Sequence, residues 1–256
     1  MFTVHIDADQ LMRVLLLFCR VGGVMLVAPV FGSERVPAQV KAALALMIAL
    51  VLTPVAGPVP DNGTAIAIGL ATASELMIGL AIGFGAKLIF VAVTMAGELA
   101  DLQSGFGFAG MVSPQTGDHV SVIGQLQMSV AWLIFLGANG HHIILKGLGA
   151  SLAAIPLGAS PGFAAPALTH ATAALIATAV RMSAPIVAAV LLADLALGLL
   201  TRAAPQMNLL AIGFPIKLVV GLWATLLALP LLAGAERGLL WTMEQILSAV
   251  LTGMRA

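Results

Sequence analysis

The chain has 256 residues, 61% of them hydrophobic and 9% charged, with a formal net charge of zero. A mean hydropathy of +1.10 is the signature of a polytopic membrane protein, because a soluble domain of this length has too little interior to hide so much apolar surface. The balanced charge excludes a nucleic-acid-binding surface, and the single cysteine, Cys19, excludes an internal disulfide framework and CxxC metal or redox chemistry.

Asp7 and Asp9 stand where a secretory signal would carry a basic leader, so the first apolar run is expected to stay in the mature protein. Apolar windows then cover Leu11 to Phe31, Val40 to Val55, Ala65 to Gly97, Gln125 to Leu148, Pro166 to Leu200 and Leu209 to Leu232. Backbone at membrane depth must satisfy its own hydrogen bonds, and these windows lack strand alternation, so they read as about five to seven helices. Two windows are too long for simple spans: Ala65 to Gly97 would reach about 50 Å and Pro166 to Leu200 about 52 Å, against about 30 Å of hydrocarbon. They must kink, fold back, tilt or leave the bilayer. Pro185 suggests a kink in the later one. In the earlier one Gly79 and Gly83 form a small-xxx-small pair that admits another helix closely. Arg35, Lys41 and Arg202 fall on one side of a six-span arrangement, which places the N-terminus outside by the positive-inside rule. Apolar residues at helical spacing from Leu239 to Met254 predict a C-terminal amphipathic helix over 236–254. Residues 1–256 read as one domain.

Glu75, Lys87, Arg181, Asp194 and Lys217 lie inside apolar windows. A charge at bilayer depth costs about 2.5 to 3.5 kcal/mol on insertion scales, so each should face protein, water or an interface. On continuous helices Glu75 and Lys87 would stand about 18 Å apart, and Arg181 and Asp194 about 20 Å, so their partners lie on other helices or other chains. Satisfied interhelical contacts outweigh a solute path as the reading of these charges. Gly105, Gly107 and Gly110 spell GxGxxG, but no strand precedes them, which argues against a dinucleotide site. His141 and His142 are neighbours whose side chains diverge by about 100° on a helix, without HxxxH or HExxH spacing, and no GxSxG elbow is present. The stretch 98–124 reads as a long Gly- and Phe-rich loop. It is either a surface loop or a plug that packs Phe106, Phe108 and Met111 into an opening.

Several blocks together carry a resemblance. They are APVFGSERVPAQVKAALALMIALVLTP after Arg20, ELMIGLAIGF at Glu75, GELADLQSGFGFA from Gly97, NGHH at Asn139, and LLADLALGLLTRAAPQMNLLAIGFPIKLVVG from Leu191. In this order, over nearly the whole chain, they resemble the FliR family of flagellar type III export-gate proteins, related to an injectisome family. The resemblance implies an all-α membrane protein of long, kinked helical hairpins packed into a helical multi-subunit pore complex. It also implies FliP and FliQ as partners in that pore, FlhB near its entrance, FlhA beneath it, and unfolded flagellar proteins as cargo. The location implied is the inner membrane at the flagellar basal body. It maps a channel plug onto about Gly105 to Ser121, and so onto Gly105, Phe106, Gly107, Phe108, Gly110, Met111 and Pro114. Glu75, Lys87, Glu98, Asp101, Arg181, Asp194, Arg202 and Lys217 are then candidates for interhelical or intersubunit polar contacts. No cofactor, metal or catalytic residue is expected. The competing reading is a secondary transporter of a small solute that uses the embedded charges.

Overall fold

Seven α-helices carry the described residues, which in this computed structural model are 8–33, 36–59, 64–106, 121–162, 165–204 and 209–255. They are α1 (Ala8–Val27), α2 (Ala38–Leu52), α3 (Ala65–Ser104), α4 (Val122–Gly137), α5 (Gly140–Ala154), α6 (Ala165–Ala203) and α7 (Leu209–Met254). Among the described residues no strand occurs, and the chain is an all-α polytopic membrane protein. Four helices are long and apolar enough to cross a membrane, and α4 with α5 would make a fifth span.

Local chemistry sets the ends of these elements. Pro37 precedes α2 with φ −56°, already suited to the first helical turn, and Pro54 follows its last turn. Gly105, at φ +88°, ends α3 in the left-handed region where a Cβ would be penalised. Ser121 caps α4, its Oγ accepting the Gly124 amide hydrogen at 2.9 Å. Asn139, at φ +56°, separates α4 from α5, a conformation that asparagine tolerates better than most side chains.

Three expectations change. The Gln125 to Leu148 window is two helices, because the Asn139 turn interrupts it. Residues 98–104, expected to be loop, continue α3, since Glu98, Leu99, Ala100, Leu102 and Gln103 are good helix formers and the first break is Gly105. The C-terminal helix expected over 236–254 is not separate but the last part of α7, which runs unbroken for 46 residues, about 69 Å. The overlong windows do not fold back: each is one helix, α3 of 40 residues and α6 of 39, with Pro185 inside α6 and Pro215 and Pro230 inside α7.

The chain divides into two compact units. The first comprises Met1–Leu88, Asn139–Thr172 and Trp241–Ala256; the second comprises Ile89–Ala138 and Ala173–Leu240. In the first, α1 packs on α2, and Leu16, Leu17, Ala49, Ala56, Ala71 and Leu157 form an apolar core. Met243, Ile246, Leu247, Val250, Leu251 and Met254 are buried, so the apolar stripe at the end of α7 is covered here, partly by Gly85 and Gly147 against Ile246 and Leu247. The close helix approach expected at Gly79 and Gly83 is made by α1: a Cβ at Gly79 would strike the Arg20 carbonyl, and one at Gly83 would crowd the Val24 carbonyl.

That approach delivers Arg20 to Glu75. Both are fully buried, and Arg20 Nε donates to Glu75 Oε2 at 2.5 Å while Nη2 donates to Oε1 at 3.1 Å. Arg20 Nη1 also donates to Ser151 Oγ at 3.1 Å and Nη2 to the Ile155 carbonyl at 3.0 Å, while Glu75 Oε1 accepts the Gly158 amide hydrogen at 2.8 Å. One ion pair therefore ties α1, α3, α5 and the turn after α5 together. In the second unit, Phe90 of α3 packs against Trp132 and Phe135 of α4, with centroids 4.4 and 5.2 Å apart, the latter edge-on.

Removing one partner of a buried pair strands the other, which costs about 3–5 kcal/mol. Glu75→Ala is expected to lower unfolding stability in detergent by about that amount, and Arg20→Met with Glu75→Leu to recover part of it. Full recovery is opposed by the Ile155 carbonyl and Gly158 amide, which lose their partners. Neighbouring glycines of α1 should differ in sign: a Cβ at Gly23 meets the Leu76 carbonyl, whereas one at Gly22 meets nothing within 4 Å. Gly23→Ala should therefore lower the unfolding temperature, and Gly22→Ala should leave it unchanged or raise it.

Candidate functional site: the α3–α4 junction and the embedded charges

The junction is built from the last turns of α3 and the first turns of α4, both in the second unit. Helix propensity carries α3 through Ser104, and the backbones then meet at two glycines, since a Cβ on Gly97 would collide with the Cα of Gly124. One turn beyond Gly97, Asp101 is 4% exposed and its Oδ1 accepts the Ile123 amide hydrogen at 3.0 Å. The negative carboxylate thus sits at the first turn of α4, where unpaired amides and the helix dipole favour it. Asp101 Oδ2, Ser104 Oγ and both polar atoms of the Gln127 side chain are buried without a hydrogen-bond partner. Ser104 lies against Gly221 of α7, where any Cβ would collide with it, and Gly105 lies beside the Phe214 ring.

The candidate plug starts from this junction. Gly105 and half-buried Phe106 form the turn after α3. Gly107, Phe108, Gly110, Met111 and Pro114 lie outside the described residues, as does the whole PQMN block.

The candidate charges fall into two groups. Glu75 is consumed by Arg20 within the first unit, and Asp194 of α6 pairs with Lys217 of α7 within the second, at 2.6 Å and with both side chains about a third exposed. Asp101 is occupied by Ile123. Lys87, Glu98, Arg181 and Arg202 are exposed and make no ion pair among the described residues. Arg202 therefore does not join Asp194 and Lys217. Sequence reasoning missed Arg20 as the partner of Glu75, although its presence inside the apolar run of α1 was a signal. It also missed Ser151 and Gln127, which read as ordinary polar interruptions.

His141 and His142 do not diverge as expected: their rings lean together in the first turn of α5, with centroids 4.4 Å apart. Among the described residues no group of His, Cys, Asp and Glu is arranged to hold a metal ion.

The apolar faces are unevenly covered. In α6 the buried positions Ala171, Leu175, Ala179, Met182, Ile186, Val190 and Leu197 recur at helical spacing, while Leu191, Leu192, Leu195 and Leu199 are exposed. In α7 Thr225 and Ala228 are buried, while Val219, Leu222, Trp223 and Leu227 are exposed. Only 17% of the apolar window of α6 and 22% of that of α7 is buried, against 61% for α3. The exposed apolar faces of α6 and of the Ala211–Pro230 part of α7 need a further covering.

Comparison with known proteins places this architecture. Residues 11–242 match the family described as bacterial export proteins, family 1. The flagellar biosynthetic protein FliR of Bacillus subtilis strain 168 is 34% identical over 211 residues, covering 80% of this chain and 82% of that protein. The FliR of Escherichia coli K12 is 34% identical over 220 residues, covering 84% and 83%, and that of Caulobacter vibrioides is 29% identical over 230 residues, covering 88% and 90%. The chain belongs to the FliR family of bacterial export proteins.

Proposed function

We propose that this chain is a non-enzymatic building block of the flagellar type III export gate, assembling with FliP and FliQ into the inner-membrane pore for unfolded flagellar subunits. FlhB would contact the entrance of that pore and FlhA would lie beneath it. The observation that carries this reading is the covering of α6 and of α7 up to Pro230, whose apolar windows are only 17% and 22% buried. Their exposed apolar faces need partners, and close neighbours in a gate complex supply them beyond the reach of about 30 Å of hydrocarbon, a length that the 39-residue α6 exceeds.

The state of the charges supports a scaffold over a solute path. Glu75 and Asp194 are paired inside the chain, so neither is an open ligand for a transported ion. The Asp194–Lys217 pair joins α6 to α7 and fixes their register. Exposed pairs in water contribute only about 0–1 kcal/mol; where a partner subunit or lipid excludes water, losing one partner costs more, although desolvation offsets the net gain of the pair. The segment Gly105 to Ser121 is the plug in this reading, with Phe106, Phe108 and Met111 as its apolar wedge.

Purification in mild detergent should recover the chain in a stable complex with FliP and FliQ; a lone protein that moves a small solute would favour the transporter. Asp194→Lys should reduce recovery of that complex and cell motility, and Asp194→Lys with Lys217→Asp should restore part of both. Unchanged recovery after Asp194→Lys would remove the register role. Deleting Gly105 to Ser121 should make membranes that hold the assembled complex leaky to small solutes, and unaltered permeability would count against the plug.

A further inference from the structure

We propose that Lys87 docks against a carboxylate, the side chain of an aspartate or glutamate on a membrane helix of another polypeptide in the gate. This rests on the gate reading above and goes beyond it in naming the group that the partner presents. Lys87 is exposed and makes no ion pair among the described residues.

Its position on α3, one of the helices long and apolar enough to cross a membrane, decides the chemistry. From Leu76 to Gly97 the helix runs for 22 residues with Lys87 as its only charge. At 1.5 Å per residue that stretch is about 33 Å long, close to the thickness of a hydrocarbon core, and Lys87 stands at its middle, about 16 Å from either end. Five side-chain bonds of about 1.5 Å each carry the ammonium only about 6 Å, so it cannot snorkel to a headgroup.

The face around Lys87 is apolar and narrow. Leu76, Met77 and Phe84 are exposed on the same side, which suits a contact with protein or lipid tails better than a water path. Ile82, Gly83, Gly85, Ala86 and Leu88 are buried, with α1 packed on Gly83 and the last part of α7 on Gly85. What stays uncovered is one stripe, the footprint of one further helix. Against lipid tails the ammonium costs about 2.5 to 3.5 kcal/mol, and against a wholly apolar helix it is equally stranded. A carboxylate at that level supplies both the opposite charge and acceptors for the ammonium hydrogens. Lipid phosphates offer the same chemistry, but at the ends of the stretch and out of reach.

The test uses the full chain in its complex with FliP and FliQ, in isolated membranes. Dicyclohexylcarbodiimide, an apolar reagent that joins an amine to a touching carboxylate with loss of water, should link Lys87 to an Asp or Glu of another polypeptide, identified by mass spectrometry. Complex recovery is the second readout. Lys87→Arg should stay close to the parent, whereas Lys87→Met should lower recovery about tenfold or more, because it strands the partner's carboxylate. Lys87→Glu should lower it at least as far, and changing the linked acid to lysine in that background should restore part of it. Unfolding of the uncomplexed chain should be the same in the parent and in Lys87→Met; a loss there would place Lys87 in the chain's own packing and overturn the contact. A recovered complex with no such link, or recovery in Lys87→Met at or above the parent's, also overturns it and leaves the gate reading standing. Labelling of Lys87→Cys by a membrane-impermeant maleimide in the assembled complex overturns it in favour of a water-facing lysine. If the parent yields no complex with FliP and FliQ, the gate reading fails and takes this contact with it.

Discussion

A guanidinium and a carboxylate with no access to solvent set the terms for the first unit. Arg20 and Glu75 together engage the Ser151 hydroxyl, the Ile155 carbonyl and the Gly158 amide, so the charges are enclosed by hydrogen bonds on several sides. Such a pair adds little net stability over apolar residues of the same size, because desolvation offsets the attraction. Its consequence is selectivity. A slip of α1 along α3 by one turn would leave a charge among leucines, and the glycines at the crossing would no longer face each other. The Gly23–Gly79 approach, the entry of α5 and the turn at 155–158 all have to be right for this pair to close.

How much of this was legible in the sequence depended on the range of the interaction. The apolar windows gave the helices, and the Gly79 and Gly83 spacing correctly marked a close approach, because both are written in neighbouring residues. Arg20 and Glu75 are 55 positions apart, and nothing local states that they meet. The end of α3 was misread because Gly105 and the Phe residues after it coloured the whole stretch as loop, although Glu98 to Gln103 have ordinary helix-forming side chains. Conversely, the Asn139–Gly140 break was visible as a left-handed turn signal but was hidden by uninterrupted hydropathy on both sides. Asp101 reads from the sequence as a candidate for an interhelical or intersubunit contact; on α3 against α4 it is buried and bonded between two helices of the chain.

Two uses of charge emerge from the same chain. Arg20, Glu75, Asp101, Asp194 and Lys217 are spent on joining helices within one unit or the other. Lys87, Glu98, Arg181 and Arg202 remain on the outside of long helices. A protein that carried a solute through its own interior would be expected to keep its interior charges available, and among the described residues the buried Arg20, Glu75 and Asp101 each hold a hydrogen bond within the chain. The apolar exterior of α6 and of α7 up to Pro230 supports the proposed packing against further helices.

That covering is the central claim, and site-specific photocrosslinking in native membranes tests it most directly. Probes at Leu192 and Leu195 of α6 and at Trp223 and Leu227 of α7, all exposed in the chain alone, should yield adducts with FliP or FliQ. Adducts with lipid alone at all four positions, in cells that assemble flagella, would contradict the account.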